Sequence, residues 1–68
     1  MAWLAVDENG DENIFDIEPV RDWSKWDIAT DNSWWIELPK GTIKKIIGRK
    51  LTWKDNPVEI ICPKHGSF

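Results

Sequence analysis

The sequence predicts a small α+β domain dominated by β-structure, with about five short antiparallel strands and one short helix. Of its 68 residues, 23 are isoleucine, valine, threonine or aromatic, whereas only three are leucine and three are alanine. β-Branched and aromatic side chains fit the pleated surface of a sheet, so this balance favours strands. An Asn-Gly pair near the start and a helical spacing of isoleucines near residue 43 place the other elements. We expect the strands to form a meander, either open or closed into a small SH3-like barrel.

The first hairpin is predicted around Asn9-Gly10, which separates two apolar stretches. Both residues tolerate the positive φ that a two-residue hairpin loop requires. With those two residues as the loop, Leu4 lies opposite Phe15 and the two share a core face. The other face carries Trp3 and Ile14 and is also mostly apolar. Both faces of the hairpin are therefore expected to be covered.

The middle of the chain divides into a connection and a second strand. Residues 18–33 show no sustained period of two or 3.6, so they are predicted to form a connection with one helical turn around Trp23 and Trp26. Residues 33–38 are predicted to be a strand that ends at Pro39. Its alternating faces carry Trp34, Ile36 and Leu38 on one side and Trp35 and Glu37 on the other.

A short amphipathic helix follows, because Ile43, Ile46 and Ile47 stand at i, i+3 and i+4. Thr42 is expected to cap its start and Gly48 its end. The helix would have about two turns, and a helix this short depends on docking against the sheet for its stability.

The end of the domain is predicted to be a closing hairpin. Residues 51–53 and 58–62 would form its strands, and residues 54–57 would connect them, with Pro57 at the edge. The folded domain is expected to cover residues 1–62, and residues 63–68 are expected to be a C-terminal tail.

Composition favours a soluble, cytoplasmic protein. No apolar run approaches the roughly 18 residues of a membrane span, and the start lacks the basic and apolar regions of a secretory signal. Cys62 is the only cysteine, so an intrachain disulfide is excluded and a reducing compartment is expected.

The net charge of −3 is the difference between two oppositely charged halves. Residues 1–37 contain two basic and ten acidic side chains, whereas residues 38–68 contain seven basic and two acidic ones. Such asymmetry predicts a dipolar surface able to steer a charged partner or pair with a second copy. The alternative is that the two halves interleave in space and cancel.

Catalytic and metal-binding patterns are weak, and we expect neither an enzyme nor a cofactor nor a small-molecule substrate. His65 is the only histidine, lies in the predicted tail, and has no neighbouring carboxylate to orient it. General acid–base catalysis requires a buried carboxyl group, whereas the acidic side chains near the first turn lie at a predicted exposed hairpin tip. Cys62 and His65 have C-x-x-H spacing but lack the other two ligands of a closed zinc site, unless two copies share one.

The six tryptophans are the strongest indication of a binding surface. Adjacent strand residues point to opposite faces, so Trp34 and Trp35 cannot both enter one core, and a domain this small has little room for all six rings. Tryptophan is enriched at interface hot spots. We predict a protein-binding or self-associating module whose partner-binding residues are Trp23, Trp26 and Trp35. Trp3 and Trp53 are expected to fill the core.

The alternative is a nucleic-acid-binding module that uses the basic segment 40–54. Cations interleaved with an aromatic ring can hold a single strand by phosphate contacts and base stacking. The overall acidic charge argues against this reading, because nucleic-acid-binding domains are usually basic. Its binding residues would be Lys44, Lys45, Arg49, Lys50 and Trp53.

The stretch IELPKGTIKKIIGRKLTW at residues 36–53, with residues 56–60 and the opening MAWLAVD, resembles a group of short uncharacterised proteins encoded by gut bacteria, their phages and mobile elements. The similarity covers about half of the chain. It implies a cytosolic accessory protein and implies nothing about chemistry.

Overall fold

The computed structural model of the chain describes residues 2–28, 30 and 32–61. Those residues form six strands and one helix, which confirms the β-rich α+β class. In chain order the elements are β1 (Ala2–Val6), β2 (Glu12–Phe15), β3 (Val20–Asp22), β4 (Lys25–Asp27), β5 (Trp35–Leu38), α1 (Thr42–Ile47) and β6 (Val58–Ile60). The strands pair antiparallel in two sheets, one of four strands and one of two.

The four-stranded sheet has the order β5-β2-β1-β6. The hairpin β1–β2 is at its centre, β5 pairs with the outer side of β2, and β6 pairs with the outer side of β1. The contact between the two halves of the chain is made by β6, which pairs with β1, and by α1, which packs on Leu4 and Val6 and is capped by Glu12. This arrangement favours interleaved charges over a dipolar surface.

The first hairpin forms where the sequence predicts it, but the predicted register is wrong by one residue. Trp3 lies opposite Phe15, and Leu4 lies opposite Ile14. The loop has three residues, Glu8 to Gly10, because the N–H of Asp7 donates to the carbonyl of Asp11 at 2.9 Å. Gly10, the third of them, has a φ of 94°. A left-handed residue at the third loop position is typical of three-residue hairpins. The one-residue slip moves Phe15 to the opposite face from Leu4.

Each face of the four-stranded sheet carries its own core cluster, as predicted. On one face Leu4 and Val6 pack with Ile43 of α1 and with Leu51. On the other face Ala5 and Phe15 pack with Trp26 of β4, and Trp3, Ile28 and Trp53 surround this cluster. The helix covers one side of the sheet and the β3–β4 hairpin covers the other.

The β3–β4 hairpin replaces the helical turn that was predicted near Trp23 and Trp26. Asp22 lies opposite Lys25, so Trp23 and Ser24 form a two-residue loop. Trp23 has a φ of 55°, an uncommon conformation for a bulky side chain. Glycine or asparagine usually occupies such a position, and their absence here hides the turn from sequence inspection.

Helix α1 begins at Thr42, so Thr42 is not its cap and that prediction is wrong. The N-cap is Gly41, and the carboxylate of Glu12 on β2 accepts hydrogen bonds from the N–H groups of Gly41 at 2.7 Å and Ile43 at 2.8 Å. These two bonds satisfy donors that the helix itself leaves unpaired. The prediction for the other end is confirmed, because Gly48 adopts the left-handed conformation of a C-cap.

The predicted closing hairpin between residues 51–53 and 58–62 does not form. Residues 51–53 are not a strand, and β6 pairs instead with β1, where Val58 lies opposite Leu4. The backbone N–H and the hydroxyl of Thr52 both donate to the carboxylate of Asp55 and close a local turn. Cys62, His65 and the predicted tail lie outside the described residues.

Candidate functional site

The tryptophans occupy three different environments. Trp23 is 94% exposed at the tip of the β3–β4 hairpin, and Trp34 and Trp35 are about half exposed beside and on β5. Trp26 is only 8% exposed. Trp3 and Trp53 are partly buried around the cluster that contains Phe15, in the position expected for core residues.

Trp26 is a structural residue of the core. Its indole Nε1 donates to the carbonyl of Val6 at 3.0 Å, and its backbone N–H donates to the carboxylate of Asp7 at 2.8 Å. Its ring meets Trp53 edge-on at 5.7 Å between centroids. A side chain held in this way has no surface to offer a partner, so the predicted binding role does not fit Trp26.

Arg21 covers the aromatic pair from the solvent side. Its guanidinium lies 4.6 Å from the ring centroid of Trp26 and 4.3 Å from that of Trp53. A cation over two indole faces is attracted by both rings and joins β3 to the loop that contains Trp53. The same contact occupies ring surface of Trp53 that stacking on a nucleotide base would need.

Strand β5 carries the exposed apolar residues that the core does not absorb. It is an edge of the four-stranded sheet, and Trp34, Trp35 and Ile36 are 50%, 51% and 56% exposed. Trp35 leans on the buried Phe15, with 6.4 Å between their ring centroids and 32° between their planes. The predicted partner residue Trp35 is therefore accessible and is supported from beneath by the core.

The outward-facing backbone of β5 can be assigned from its ladder with β2. The N–H of Asp16 donates to the carbonyl of Trp34 at 3.2 Å, and the N–H of Trp34 donates to the Asp16 carboxylate at 3.0 Å. Backbone groups alternate in direction along a strand, so Trp34 and the even-numbered residues of β5 point toward β2. Trp35 and Glu37 point away, and no described strand pairs with that side.

The opposite edge of the sheet is better protected. Strand β6 has three residues, follows Pro57, and exposes the charged Glu59 at its centre. Short length, proline and charge are the usual devices that keep an edge strand from pairing with another chain. The β5 edge has four residues, carries the exposed Glu37 and is followed by Pro39, but it differs from β6 in the half-exposed apolar side chains of Trp34, Trp35 and Ile36.

A groove of about 880 Å³ lies between the first hairpin tip, α1 and the loop after it. Val6, Ile43 and Leu51 line it with apolar surface. Its four basic residues are Lys40, Lys44, Lys50 and Lys54, and its three acidic residues are Asp7, Glu8 and Glu12. The mixture of charges leaves the groove only weakly positive.

The residues predicted for nucleic acid are brought together only in part. Lys44, Lys50 and Trp53 line the groove, whereas Lys45 and Arg49 do not. The backbone N–H of Thr52, then its hydroxyl, and then the charge of Arg49 lower the pKa of Asp55. Asp55 thus remains ionised in the same segment and offsets part of its positive charge.

Among residues 2–28, 30 and 32–61, no group of three or more metal-ligating side chains is close enough to hold an ion. In the same part of the chain, every buried side-chain polar atom has a hydrogen-bond partner. None of the described helical segments has the length and apolar character to cross a membrane.

The described fold and surface define a small β-rich α+β domain with an open antiparallel sheet and an exposed aromatic edge. Comparison with protein-family models, with curated proteins and with solved structures found no match.

Proposed function

We propose that this domain is a non-enzymatic interaction module that binds an extended strand of another protein, or of a second copy, along the edge of β5. The proposal rests on one observation: the backbone groups of Trp35 and Glu37 face away from β2 with no partner among the described residues, beside half-exposed side chains at Trp34, Trp35 and Ile36. Strand addition of this kind takes its affinity from main-chain hydrogen bonds and its specificity from alternate side chains.

The expected affinity is modest. Full burial of the exposed parts of these three side chains removes roughly 300 Å² of mostly apolar surface, worth at most about 7.5 kcal/mol at 25 cal/mol per Å². Association loses about 4–15 kcal/mol in translational and rotational freedom, and main-chain hydrogen bonds offset part of that loss. The module would therefore bind weakly, in the micromolar range or above, unless the partner also contacts Trp23.

The remaining sequence predictions are compatible with this proposal. Trp23 offers a second exposed contact on the β3–β4 hairpin, whereas Trp26 is omitted because it is buried. Strand addition needs only a free β5 edge and does not require closure into an SH3-like barrel. The resemblance to accessory proteins of gut bacteria, phages and mobile elements supports a cytoplasmic setting.

A pair of substitutions at Glu37 tests the strand-addition mechanism. Proline removes the outward N–H at an edge position that tolerates proline, whereas threonine removes the same charge but keeps the N–H. We expect Glu37→Pro to weaken the binding affinity at least tenfold, which is the size of effect expected when one hydrogen bond is lost and its neighbours are disturbed. Glu37→Thr should change the affinity by less than about threefold. Sedimentation measures self-association, and affinity capture measures binding to other proteins.

Circular dichroism and thermal melting establish that each variant is folded before binding is compared. Trp35→Ala is a second, independent variant that keeps the backbone and removes the largest exposed ring. If both Glu37→Pro and Trp35→Ala fold and retain self-association and every captured partner, the β5 edge is not the interface.

The groove favours a second candidate function, binding of single-stranded nucleic acid, because four lysines line it. Binding by phosphate contacts must weaken with salt, with a slope of log affinity against log salt of about −0.7 per contact for a single strand. Replacing Lys44 and Lys50 with glutamine should reduce that slope by about 1.4. Lys45→Gln is the matched control, because Lys45 does not line the groove.

Fluorescence anisotropy with a labelled oligonucleotide gives this slope directly. Absence of binding at low salt removes the nucleic-acid function, and equal slopes for the double variant and Lys45→Gln remove the groove as its site.

A further inference from the structure

We infer that the strand added to β5 is β5 of a second copy, paired antiparallel about a two-fold axis at Ile36. In this register Trp35 of each copy lies opposite Glu37 of the other, and Ile36 lies opposite its own counterpart. The inference rests on the proposed function and specifies the partner of the same edge.

The backbone of β5 is self-complementary in this register. Its outward-facing residues are Trp35 and Glu37, each with one N–H and one carbonyl that no other described residue pairs. Pairing each Trp35 with the other copy's Glu37 makes four interchain hydrogen bonds. Every outward group of both strands is then used, without recruiting any residue outside β5.

The neighbouring registers are less favourable. With the two-fold axis at Trp35, the two Trp35 residues pair with each other and form two hydrogen bonds. The remaining hydrogen bonds would join Glu37 to Ser33, which lies outside the strand. An axis at Glu37 places two carboxylates directly opposite each other, which destabilises a strand pair. That register also brings in Pro39, which has no N–H to donate.

The side chains fit the same register. On the face that carries α1, Ile36 meets Ile36 and Trp34 meets Leu38, so each cross-strand pair is apolar. On the other face Trp35 meets Glu37, and no like charges lie opposite each other. The half-exposed Trp34 and Ile36 would thus complete an apolar stripe across the two sheets.

A second copy at β5 gives a closed dimer. The same edge is used by both copies, so the contact is isologous and stops at two chains. Pairing β5 with β6 of another copy would instead form an open fibre, and the proline and short length of β6 oppose it. The product is a continuous sheet of eight strands with both helices on one side.

Disulfide cross-linking tests which residues of the two β5 strands lie opposite each other. In the proposed dimer the two Ile36 residues lie opposite each other and form no hydrogen bonds with each other. The Cα atoms of such a pair are about 4.5 Å apart, a distance that a disulfide can span. In a Cys62→Ser background under mild oxidation, we expect Ile36→Cys to form a covalent dimer at least tenfold faster than Trp35→Cys. The two Trp35 positions are offset by two residues in this register and lie too far apart to be joined.

Sedimentation provides the second measurement, at concentrations from about 10 µM to 1 mM because an interface this small is weak. We expect a monomer–dimer equilibrium for the unmodified chain, for Glu37→Thr and for Glu59→Pro, which alters the opposite edge. Glu37→Pro is expected to remain monomeric.

Each other outcome overturns a defined part of the inference. Faster cross-linking at Trp35 than at Ile36 overturns the register. If the chain is a monomer at every concentration, the partner is not a second copy. The proposed function still stands if the unmodified chain captures another protein and Glu37→Pro does not. A dimer that persists in folded Glu37→Pro overturns the β5 dimer, and the proposed function also fails if capture is insensitive to that substitution.

Discussion

Phe15→Ala is expected to lower the free energy of unfolding by about 3–5 kcal/mol, as large-to-small substitutions of buried aromatic residues do. Phe15 is 1% exposed and packs in one cluster with Ala5 and Trp26, so it joins the four-stranded sheet to the β3–β4 hairpin. A domain of this length has a total stability of about 3–10 kcal/mol, so the variant should lose about a third of that stability or more.

Urea denaturation followed by far-ultraviolet circular dichroism measures this change. Phe15→Leu is the control, because it keeps most of the apolar volume and should lose much less stability. A loss below about 1 kcal/mol for Phe15→Ala would mean that this face of the sheet is not closely packed.

Trp26→Ala is expected to destabilise the domain by a similar amount, about 3–5 kcal/mol. The substitution removes a ring that is 8% exposed, its edge contact with Trp53, and the ring on which Arg21 lies. It also removes the indole N–H donor and leaves the carbonyl of Val6 unpaired. Trp26→Phe keeps a ring but loses this hydrogen bond, so a smaller loss of about 1–3 kcal/mol is expected.

Trp23→Ala is the matched control for Trp26, because Trp23 is on the same hairpin but 94% exposed. Its effect on the free energy of unfolding should stay within about 0.5 kcal/mol, as for most surface substitutions. Thermal or urea denaturation of the three variants separates a core tryptophan from a surface one. Equal effects at Trp23 and Trp26 would contradict the burial seen in the structure.

The exposed β5 edge was partly predictable from the sequence. The alternation of faces along residues 33–38 requires Trp34 and Trp35 to point in opposite directions, and neither ring is fully buried in the structure. That β5 lies at an edge was not predictable, because a strand's position in a sheet depends on which distant segments pair with it. The free N–H groups of Trp35 and Glu37 follow from that position.

Prediction from the sequence fails where one local pattern is compatible with more than one folded arrangement. Asn9-Gly10 supports both two-residue and three-residue loops, and the choice between them decides which face Phe15 joins. The β3–β4 hairpin has no glycine or asparagine in its turn, so the sequence pattern predicts Trp26 in a surface connection. Trp26 is held in the core by hydrogen bonds from its indole N–H to Val6 and from its backbone N–H to Asp7, which lie about twenty residues away in the chain.

By itself the sequence determined the β-rich class, the positions of the first turn and of β5, and a helix ending at Gly48, because each depends on neighbouring residues. Tertiary structure alone decided the strand order, the capping of α1 by Glu12, and the pairing of β6 with β1. These features depend on contacts between residues far apart in the chain, which local propensity does not encode. The accessible edge of β5 is one of them, and on it depends the proposed function.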